Sequence, residues 1–422
     1  GGCDYRGKGK LAYKSVSSRH NYGILKLKNR SDNAITRAPL QVLFWGKSPF
    51  PRAGIRIKKV LKKRGANAII DGFTFIYPRE NDMAVPITQA LTVAKYAISN
   101  TLKGKKRYPL VMMLEPLFQC NLACSGCGKI QYPREILSRR MPKEKAWAAL
   151  EECGAPVVSI AGGEPLLHPE MPQMIEGFIE RRKFVYMCTN AQVLLGKIDL
   201  YKPSKYLSLG IHLDGTREMH DKSVNKEGAY DIAVKGIREA VKRGFRVTTN
   251  TTIFNDADPD EVRKFFDEAM SLGVEGMMIS PGFPYNKAPS QDIFLERNKT
   301  VELFRKILSN PKKEWVFNHS PGFLAFLKGE QEYECTPWGN PTYSIFGWQK
   351  PCYLINDGYC ETFAELMDCI DSYGLGHNGT RPECKDCMLH SGYEASAVRD
   401  IFGTFGGLAR AAKHMRNFRK RS

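Results

Sequence analysis

Segments with strand and helix character alternate along the middle of this 422-residue chain. Short apolar segments rich in Val, Ile, Leu and Thr predict strands, and segments with apolar residues at helical spacing lie between them. Strands that alternate with helices predict a parallel sheet with right-handed crossovers, and therefore an α/β fold. The predicted strands are 110–114, 157–161, 184–189, 206–213, 246–253 and 276–280. The predicted helices are 142–153, 169–182, 230–243 and 258–272.

Three cysteines follow the first predicted strand with the spacing C-x3-C-x2-C: Cys120, Cys124 and Cys127. The first ten residues lack the apolar core of a secretory signal, so we expect these clustered cysteines to be metal ligands rather than disulfides. Three thiolates on one loop can bind three irons of a cubane cluster and leave the fourth iron open to a small molecule. The alternatives are a zinc knuckle that lacks its fourth ligand, and reduced structural thiols.

A second motif, Gly162-Gly163-Glu164-Pro165, ends the second predicted strand. Glycines at the carboxyl end of a strand allow a ligand to approach the backbone, and open α/β sheets bind ligands at that end. Glu164 could bind an ammonium group there, although a plain strand-to-helix turn would look the same. Other polar residues end later strands, and together they predict a site at this edge of the sheet. They include Cys188, Asn190, His212 and Asp214.

Together, the cysteine motif and the GGEP string resemble the radical S-adenosylmethionine (SAM) superfamily. The resemblance implies a partial (β/α)6 barrel in which Cys120, Cys124 and Cys127 ligate a [4Fe–4S] cluster. It also implies that SAM chelates the fourth iron and that residues 162–165 contact its amino group. We expect Asn190, His212 and Asp214 to help bind SAM. Many members have an aromatic residue before the third cysteine, whereas this chain has Gly126, which predicts looser packing over the cluster.

Longer strings narrow the resemblance to the adenosylhopane synthases, a hopanoid-biosynthesis family within that superfamily. The strings are 120–131, 159–168, 188–191, 212–215, 246–250, 278–281, 318–321, 346–353 and 384–393. The resemblance implies that a 5′-deoxyadenosyl radical adds to the terminal alkene of the hopene diploptene. A hydrogen atom then quenches the carbon radical, and the family places its donor at Cys188. It implies an electron donor such as flavodoxin or ferredoxin. The alternative for Cys188 is a small buried core residue.

Four later cysteines form a second possible metal set: Cys335, Cys352, Cys384 and Cys387. With Gly347 they read C-x11-G-x4-C followed by C-x2-C, which resembles the twitch-like or SPASM-like extensions of some radical SAM enzymes. Such extensions carry an auxiliary [4Fe–4S] cluster. A structural zinc site would use the same four thiolates, and an absence of metal is the third possibility.

The net charge of +19 is concentrated at the two ends of the chain. Residues 1–82 have 18 Lys and Arg against 5 Asp and Glu, residues 408–422 have six basic residues and no acidic one, and the remainder is neutral. A neutral body argues against a nucleic-acid groove, which needs clustered basic residues. The first methionine is Met83, so we expect residues 1–82 to be an extension that is not native, or else a small basic domain.

Five segments are therefore predicted. They are a basic extension (1–82), an amphipathic helix (83–109), the barrel (110–330), a twitch-like cysteine domain (331–400) and a basic tail (401–422). Because hopene lies in the bilayer, the helix and the tail favour a cytoplasmic enzyme with peripheral membrane contact. Packing of the helix on the barrel is the alternative.

Two other functions remain open from the sequence. A radical SAM enzyme with an auxiliary cluster could modify a peptide, but this would need a peptide-binding extension, and residues 1–82 lack a clear strand–strand–helix pattern. A metal-stabilised protein that binds nucleic acid and has no enzymatic activity is disfavoured by the neutral body.

Overall fold

The computed structural model describes residues 85–403 except residue 286, together with the backbone of four short strands nearer the N-terminus. The chain divides into two compact units, residues 1–79 and 80–422. In the first unit the strands form two antiparallel pairs. These strands are β1 (Leu40–Leu43), β2 (Arg56–Lys59), β3 (Ala68–Ile70) and β4 (Phe73–Phe75). The predictions for Met83 and for the tail from residue 404 lie outside the described residues.

The second unit contains a nine-stranded sheet with the strand order β10-β9-β8-β7-β6-β5-β11-β12-β13. Its first six strands in chain order are parallel to one another, as the alternating pattern predicts. They are β5 (Val111–Glu115), β6 (Val157–Ile160), β7 (Phe184–Thr189), β8 (Leu207–His212), β9 (Arg246–Ile253) and β10 (Gly276–Pro281). All six predicted strands are confirmed, with ends displaced by no more than one residue.

Helices alternate with the parallel strands, and several of them pack against those strands. The described helices are α1 (Ile87–Leu102), α2 (Arg134–Leu137), α3 (Lys143–Cys153), α4 (Met171–Glu180), α5 (Arg217–Ser223), α6 (Ala229–Lys242), α7 (Pro259–Ser271), α8 (Arg297–Ile307), α9 (Pro321–Leu327), α10 (Phe363–Cys369) and α11 (His390–Gly403). None of them is long and apolar enough to cross a bilayer, a finding that covers only these described residues.

Local sequence explains where several helices begin and end. Asp258 accepts hydrogen bonds from the backbone N–H groups of Asp260 and Glu261, and Pro259 occupies the first turn of α7. A carboxylate at this position satisfies N–H groups that have no partner inside the helix. Gly154 ends α3 with φ of 70°, a left-handed conformation that favours glycine.

The C-terminal region extends the barrel sheet. Strand β11 (Thr342–Ser344) pairs in parallel with β5, and β12 (Gly347–Pro351) and β13 (Asn356–Cys360) continue the sheet as antiparallel strands. This arrangement covers the free edge of β5, whose N–H and C=O groups would otherwise lack partners. The other edge strand, β10, is covered by the segment around Phe317, since Met277 donates to Val316 O at 2.9 Å.

The sequence predicts an amphipathic helix over 83–109 with an apolar stripe, but helix α1 packs mainly through a different face. Ala97 packs with Tyr108, Leu110 and Ala395, and Gln89 donates to the hydroxyl of Tyr186 on β7 at 3.0 Å. The predicted apolar stripe includes Leu91 and Leu102, which are 46% and 65% exposed. Part of the helix is thus bound to the barrel. Leu91 and Leu102 of the predicted stripe face outward, whereas Ala94 and Ile98 of the same stripe are half-buried.

Candidate active site at the carboxyl ends of the strands

The three cysteines of the C-x3-C-x2-C motif lie on the loop after β5, half-buried. Burial raises the pKa of Cys120 to about 11, and it raises the pKa of Cys124 and Cys127 as well. The charge of Cys127 also raises the pKa of Cys120 and of Cys124, so three thiolates in this space need a positive partner.

A cubane cluster fits this thiol set. Among the described residues, no three His, Cys, Asp or Glu side chains converge as the ligands of one metal ion do. Thiolates that bind separate irons of a cubane do not need to converge on one point. Cys120, Cys124 and Cys127 are the residues that would hold a [4Fe–4S] cluster, and their role as its ligands stays a prediction.

Hydrogen bonds from two distant segments hold the cysteine loop in place. Ser125 donates its N–H to Ser223 O at 3.0 Å and accepts from the N–H of Ser290 at 3.1 Å. The side-chain amide of Asn225 donates to Ala123 O at 2.9 Å. The loop is thus preorganised by the chain itself.

The looser packing expected at Gly126 is not seen. A Cβ at Gly126 would lie 3.0 Å from the ring of Phe254, which follows β9. The ring therefore occupies the space beside the third cysteine from a different part of the chain, so an aromatic side chain at residue 126 is not needed to fill it.

The glycines of the GGEP motif allow a close approach between two backbone segments. A Cβ would lie 2.4 Å from Leu117 O at Gly162 and 2.0 Å from Gln119 O at Gly163. The N–H of Gly163 donates to Leu117 O at 2.9 Å, and that of Glu164 donates to Gln119 O at 2.8 Å. Only glycine permits this contact, which aligns the motif with the segment leading into the cysteine loop.

Glu164 is almost completely buried and joins the ends of two strands. Its carboxylate accepts hydrogen bonds from Leu166 N at 3.0 Å, Thr189 Oγ1 at 2.7 Å and Asn190 N at 2.8 Å. Burial raises its pKa, while these donors oppose the rise. Pro165 begins the short turn that follows. Binding of the SAM amino group by residues 162–165 stays a prediction.

The other residues predicted to bind SAM reach the same edge. Asn190 Nδ2 lies 3.6 Å from the sulfur of Cys120. His212 Nε2 lies 3.0 Å from Asp214 Oδ2, and Asp214 raises the pKa of Cys124 through its charge. The structure brings these side chains to the cysteine loop, and their role in binding SAM stays a prediction.

Cys188 lies near the end of β7, half-buried. Its sulfur is 3.7 Å from Ser159 Oγ on β6, and a Cβ at Gly210 on β8 would be 3.5 Å from it. Burial raises the pKa of Cys188, so the sulfur retains its proton.

The four late cysteines come together although they are far apart in sequence. All four line one cavity, with Phe283, Tyr353 and Tyr393 among its other walls. Burial, and then the charges of the other three cysteines, raise the pKa of Cys335 well above its usual range. The N–H of Ile355 donates to Cys352 Sγ at 3.4 Å, a contact typical of metal-bound thiolates.

Sequence reasoning missed a buried ion pair between the two cysteine sites. Lys129 Nζ lies 2.8 Å from Glu115 Oε1, and the ammonium lies over the rings of Phe118 and Tyr353 at 5.6 Å and 5.2 Å. Lys129 follows the third cysteine by two residues, and Glu115 ends β5. The signal for this ion pair in the sequence was an acidic residue at the end of a strand together with a basic residue beside the cysteine motif.

A parallel partial barrel, three thiols on the loop after its first strand and a glycine motif after its second define one class of enzyme. The sequence profile described as "Radical SAM superfamily" matches residues 114–269. A second profile, described as a domain of unknown function, DUF3463, matches residues 277–411. Residues 114–269 of this chain are thus similar to the radical SAM superfamily, whose members use a [4Fe–4S] cluster and SAM.

Curated relatives carry out several different reactions. Fe-coproporphyrin III synthase of Methanosarcina barkeri is 26% identical over 179 residues, which are 40% of this chain and 43% of that protein. GTP 3′,8-cyclase 1 of Mycobacterium tuberculosis is 24% identical over 40% of this chain and 50% of its own length. The chain thus spans about half the length of these relatives. The subtilosin biosynthesis protein AlbA of Bacillus subtilis is 23% identical over 60% of this chain and 57% of that protein.

The fold is also found in a solved structure. SuiB of Streptococcus suis, crystallised with SAM, aligns with a TM-score of 0.54 and 15% identity. The alignment covers 77% of this chain and 81% of SuiB. This similarity confirms the predicted α/β partial barrel.

Proposed function

We propose that this enzyme adds the 5′-deoxyadenosyl group of SAM to the terminal alkene of a hopene, and that Cys188 supplies the hydrogen atom that completes the product. When bound, the reduced cluster and SAM supply the 5′-deoxyadenosyl radical. The observation that carries the proposal is a protonated thiol at the end of β7 beside Gly210 and Ser159. The resemblance of the longer strings to adenosylhopane synthases supports the hopene substrate.

The chemistry requires a hydrogen donor with a weak bond. Addition of a carbon radical to an alkene leaves a new carbon radical on the substrate. An S–H bond is weaker than the C–H bond formed, so transfer from Cys188 is favourable. Because burial raises the pKa of this thiol, the hydrogen stays on sulfur at neutral pH.

The test is Cys188→Ala in anaerobic, cluster-loaded enzyme, with Cys153→Ala as the matched control because Cys153 is a buried thiol on helix α3. We expect Cys188→Ala to cleave SAM and to lose at least 90% of the saturated adduct. The control should form adduct as the unaltered enzyme does. In D2O the unaltered enzyme should place one deuterium on the product. A normal yield of saturated product from Cys188→Ala would contradict the proposal.

Peptide modification is the second candidate, and the comparisons support it. SuiB has also been crystallised bound to its precursor peptide SuiA, and AlbA is named as a bacteriocin biosynthesis protein. Incubation with SAM and diploptene in detergent micelles separates the two candidates. We expect an adenosyl adduct of diploptene by mass spectrometry. No adduct, in enzyme that cleaves SAM, would reject the hopene substrate and favour the peptide.

For the late cysteines we propose an auxiliary [4Fe–4S] cluster, supported by the cavity that all four line. Two four-iron clusters predict about eight irons per chain and no zinc. The double variant Cys384→Ala, Cys387→Ala should bind about four irons. The matched control Cys360→Ala, Cys369→Ala changes two other half-buried thiols of this region and should retain about eight. Four irons together with one zinc in the unaltered chain would reject the auxiliary cluster.

A further inference from the structure

Polar side chains line one face of the barrel strands next to Cys188. Ser159 on β6 pairs in register with Tyr186 on β7, and Cys188 follows Tyr186 by two residues. Side chains at paired positions of neighbouring parallel strands, and two residues apart in one strand, lie on the same face of a sheet. The opposite face carries Ile160 and Met187, which are fully buried in the apolar core shared with the helices. Ser159, Tyr186 and Cys188 are only half-buried, so they face the inside of the barrel and keep surface that water can reach.

The side chain of Ser159 contacts the sulfur of Cys188 directly. Its Oγ lies 3.7 Å from Cys188 Sγ, and either atom can donate the hydrogen bond. A hydroxyl that donates to sulfur favours the thiolate, and this hydrogen bond opposes the rise of the Cys188 pKa that burial causes. Ser159 is therefore placed to pass a proton to this sulfur.

The surroundings of Ser159 inside the barrel favour water. Gln89 of helix α1 reaches the same face, since its Nε2 donates to the hydroxyl of Tyr186 at 3.0 Å. Gln89 is 5% exposed, and its Oε1 is buried without a hydrogen-bond partner in the described part of the chain. Buried polar atoms that lack a protein partner typically bind ordered water. The inside of the barrel near Ser159 therefore suits water rather than a hydrocarbon.

Donation of a hydrogen atom by Cys188 leaves a sulfur-centred radical that the enzyme must repair before the next turnover. An electron alone would give a thiolate, which is disfavoured in a site where burial raises the pKa of the thiol. The electron therefore needs a proton with it. We propose that Ser159 returns this proton to Cys188 and replaces it from water inside the barrel, an inference that rests on the proposed function.

Atoms and electrons balance in two steps. The substrate carbon radical first takes a hydrogen atom from Cys188, which forms a C–H bond and breaks the S–H bond. One electron then reaches the sulfur from a low-potential protein donor of the flavodoxin or ferredoxin type, the same class of donor that reduces the cluster. As the electron arrives, the Ser159 hydroxyl gives its proton to sulfur and takes one from water, so that the S–H bond is restored and no alkoxide forms. Solvent replaces the proton that this water has lost.

The test is Ser159→Ala in anaerobic, cluster-loaded enzyme with SAM and diploptene, with reduced flavodoxin as the electron donor and no small thiol present. The matched control is Ser208→Ala on β8, which removes a fully buried hydroxyl that has no hydrogen-bond partner among the described residues. We expect Ser159→Ala to form about one saturated adduct per chain at the rate of the unaltered enzyme and then to slow at least about 10-fold. The control should continue at the rate of the unaltered enzyme.

Ser159→Thr separates the return of a proton from a loss of packing, because threonine keeps the hydroxyl. This variant should sustain turnover within about 3-fold of the unaltered enzyme. After the reaction, alkylation of the denatured chains and mass spectrometry should find Cys188 as a free thiol in Ser159→Thr and in Ser208→Ala. In Ser159→Ala most Cys188 should resist alkylation, whereas the same variant incubated without SAM should be alkylated fully.

Three results would overturn the role of Ser159. Linear turnover by Ser159→Ala, with Cys188→Ala unable to form saturated adduct, rejects it and leaves the role of Cys188 intact. Loss of even the first turnover in Ser159→Ala also rejects it, because the proton is returned only after product forms. Ser159→Thr that slows as much as Ser159→Ala shows that the hydroxyl is not what matters. Saturated adduct from Cys188→Ala instead rejects the proposed function on which this inference rests.

Discussion

At Gly163 the absence of a side chain allows two backbone segments to meet just before the cysteine loop. Its Cα lies against the backbone of Phe118 and Gln119, so that a Cβ would be 2.0 Å from Gln119 O. Backbone atoms cannot move aside as a flexible side chain can. The contact therefore ties the second strand of the barrel to the segment that precedes Cys120.

We expect Gly163→Ala to displace this segment, to lower the free energy of unfolding by about 1–3 kcal/mol and to reduce iron loading. The matched control is Gly196→Ala, since nothing lies within 4 Å of a Cβ at Gly196. Denaturant unfolding and iron content measure the two effects. Iron loading of Gly163→Ala equal to that of the control would show that the contact does not support the cluster.

A second residue-scale prediction concerns pH. Burial disfavours charge on His212, but the carboxylate of Asp214 outweighs it, so the pKa of His212 is raised. A histidine whose pKa is higher in the folded chain than in the unfolded chain, where it is about 6.5, contributes its full stabilisation below that unfolded pKa. This contribution is lost as the pH rises through the pKa of the folded state. His212→Gln should therefore destabilise the protein more at pH 6 than at pH 9. Urea unfolding at both pH values measures this, and an equal loss at both would contradict the ion pair.

At the scale of elements, helix α1 has one buried face and one exposed face. The face with Gln89, Ala97 and Asn100 is buried within the second unit of the chain. The opposite face has Leu91 and Leu102 exposed, and the exposed Lys103, Lys105 and Lys106 follow it. Apolar side chains beside lysines are typical of helices that bind anionic membrane surfaces.

We expect the double variant Leu91→Glu, Leu102→Glu to weaken binding to vesicles of anionic lipid at least 5-fold. Its free energy of unfolding should change by less than about 0.5 kcal/mol, because both side chains are exposed. Ala97→Glu, on the buried face, should instead destabilise the fold. Vesicle flotation measures the binding, and unchanged flotation of the double variant would remove α1 as the membrane contact.

At the scale of the whole molecule, charge and chemistry occupy different parts of the chain. Residues 1–82 have a net charge of +13, whereas residues 83–407 have equal numbers of basic and acidic residues. The radical SAM profile and the late cysteines fall entirely in the unit formed by residues 80–422. We therefore expect the proposed reaction to depend on that unit.

Deletion of residues 1–79 should leave iron content and SAM cleavage within about 20% of the full chain, because the division into two units falls at residue 79. Binding to a polyanion such as heparin should weaken strongly, since most of the excess charge is removed. Iron analysis and salt elution from heparin measure these outcomes. Loss of the cluster on deletion would show that the first unit supports the active site.

The sequence by itself determined the features that are local in the chain. Strand and helix periodicity located the six parallel strands, because side-chain spacing follows backbone geometry. Cysteine spacing and the GGEP string located the cluster loop and the second strand end.

The tertiary structure alone decided which distant segments meet. The addition of β11 to the edge of β5, the ring of Phe254 beside Gly126, and the four late cysteines around one cavity all join residues far apart in sequence. Such contacts depend on how side chains fill the space between packed elements. A local sequence pattern does not predict this packing, so the contacts between distant segments are seen only in the folded chain.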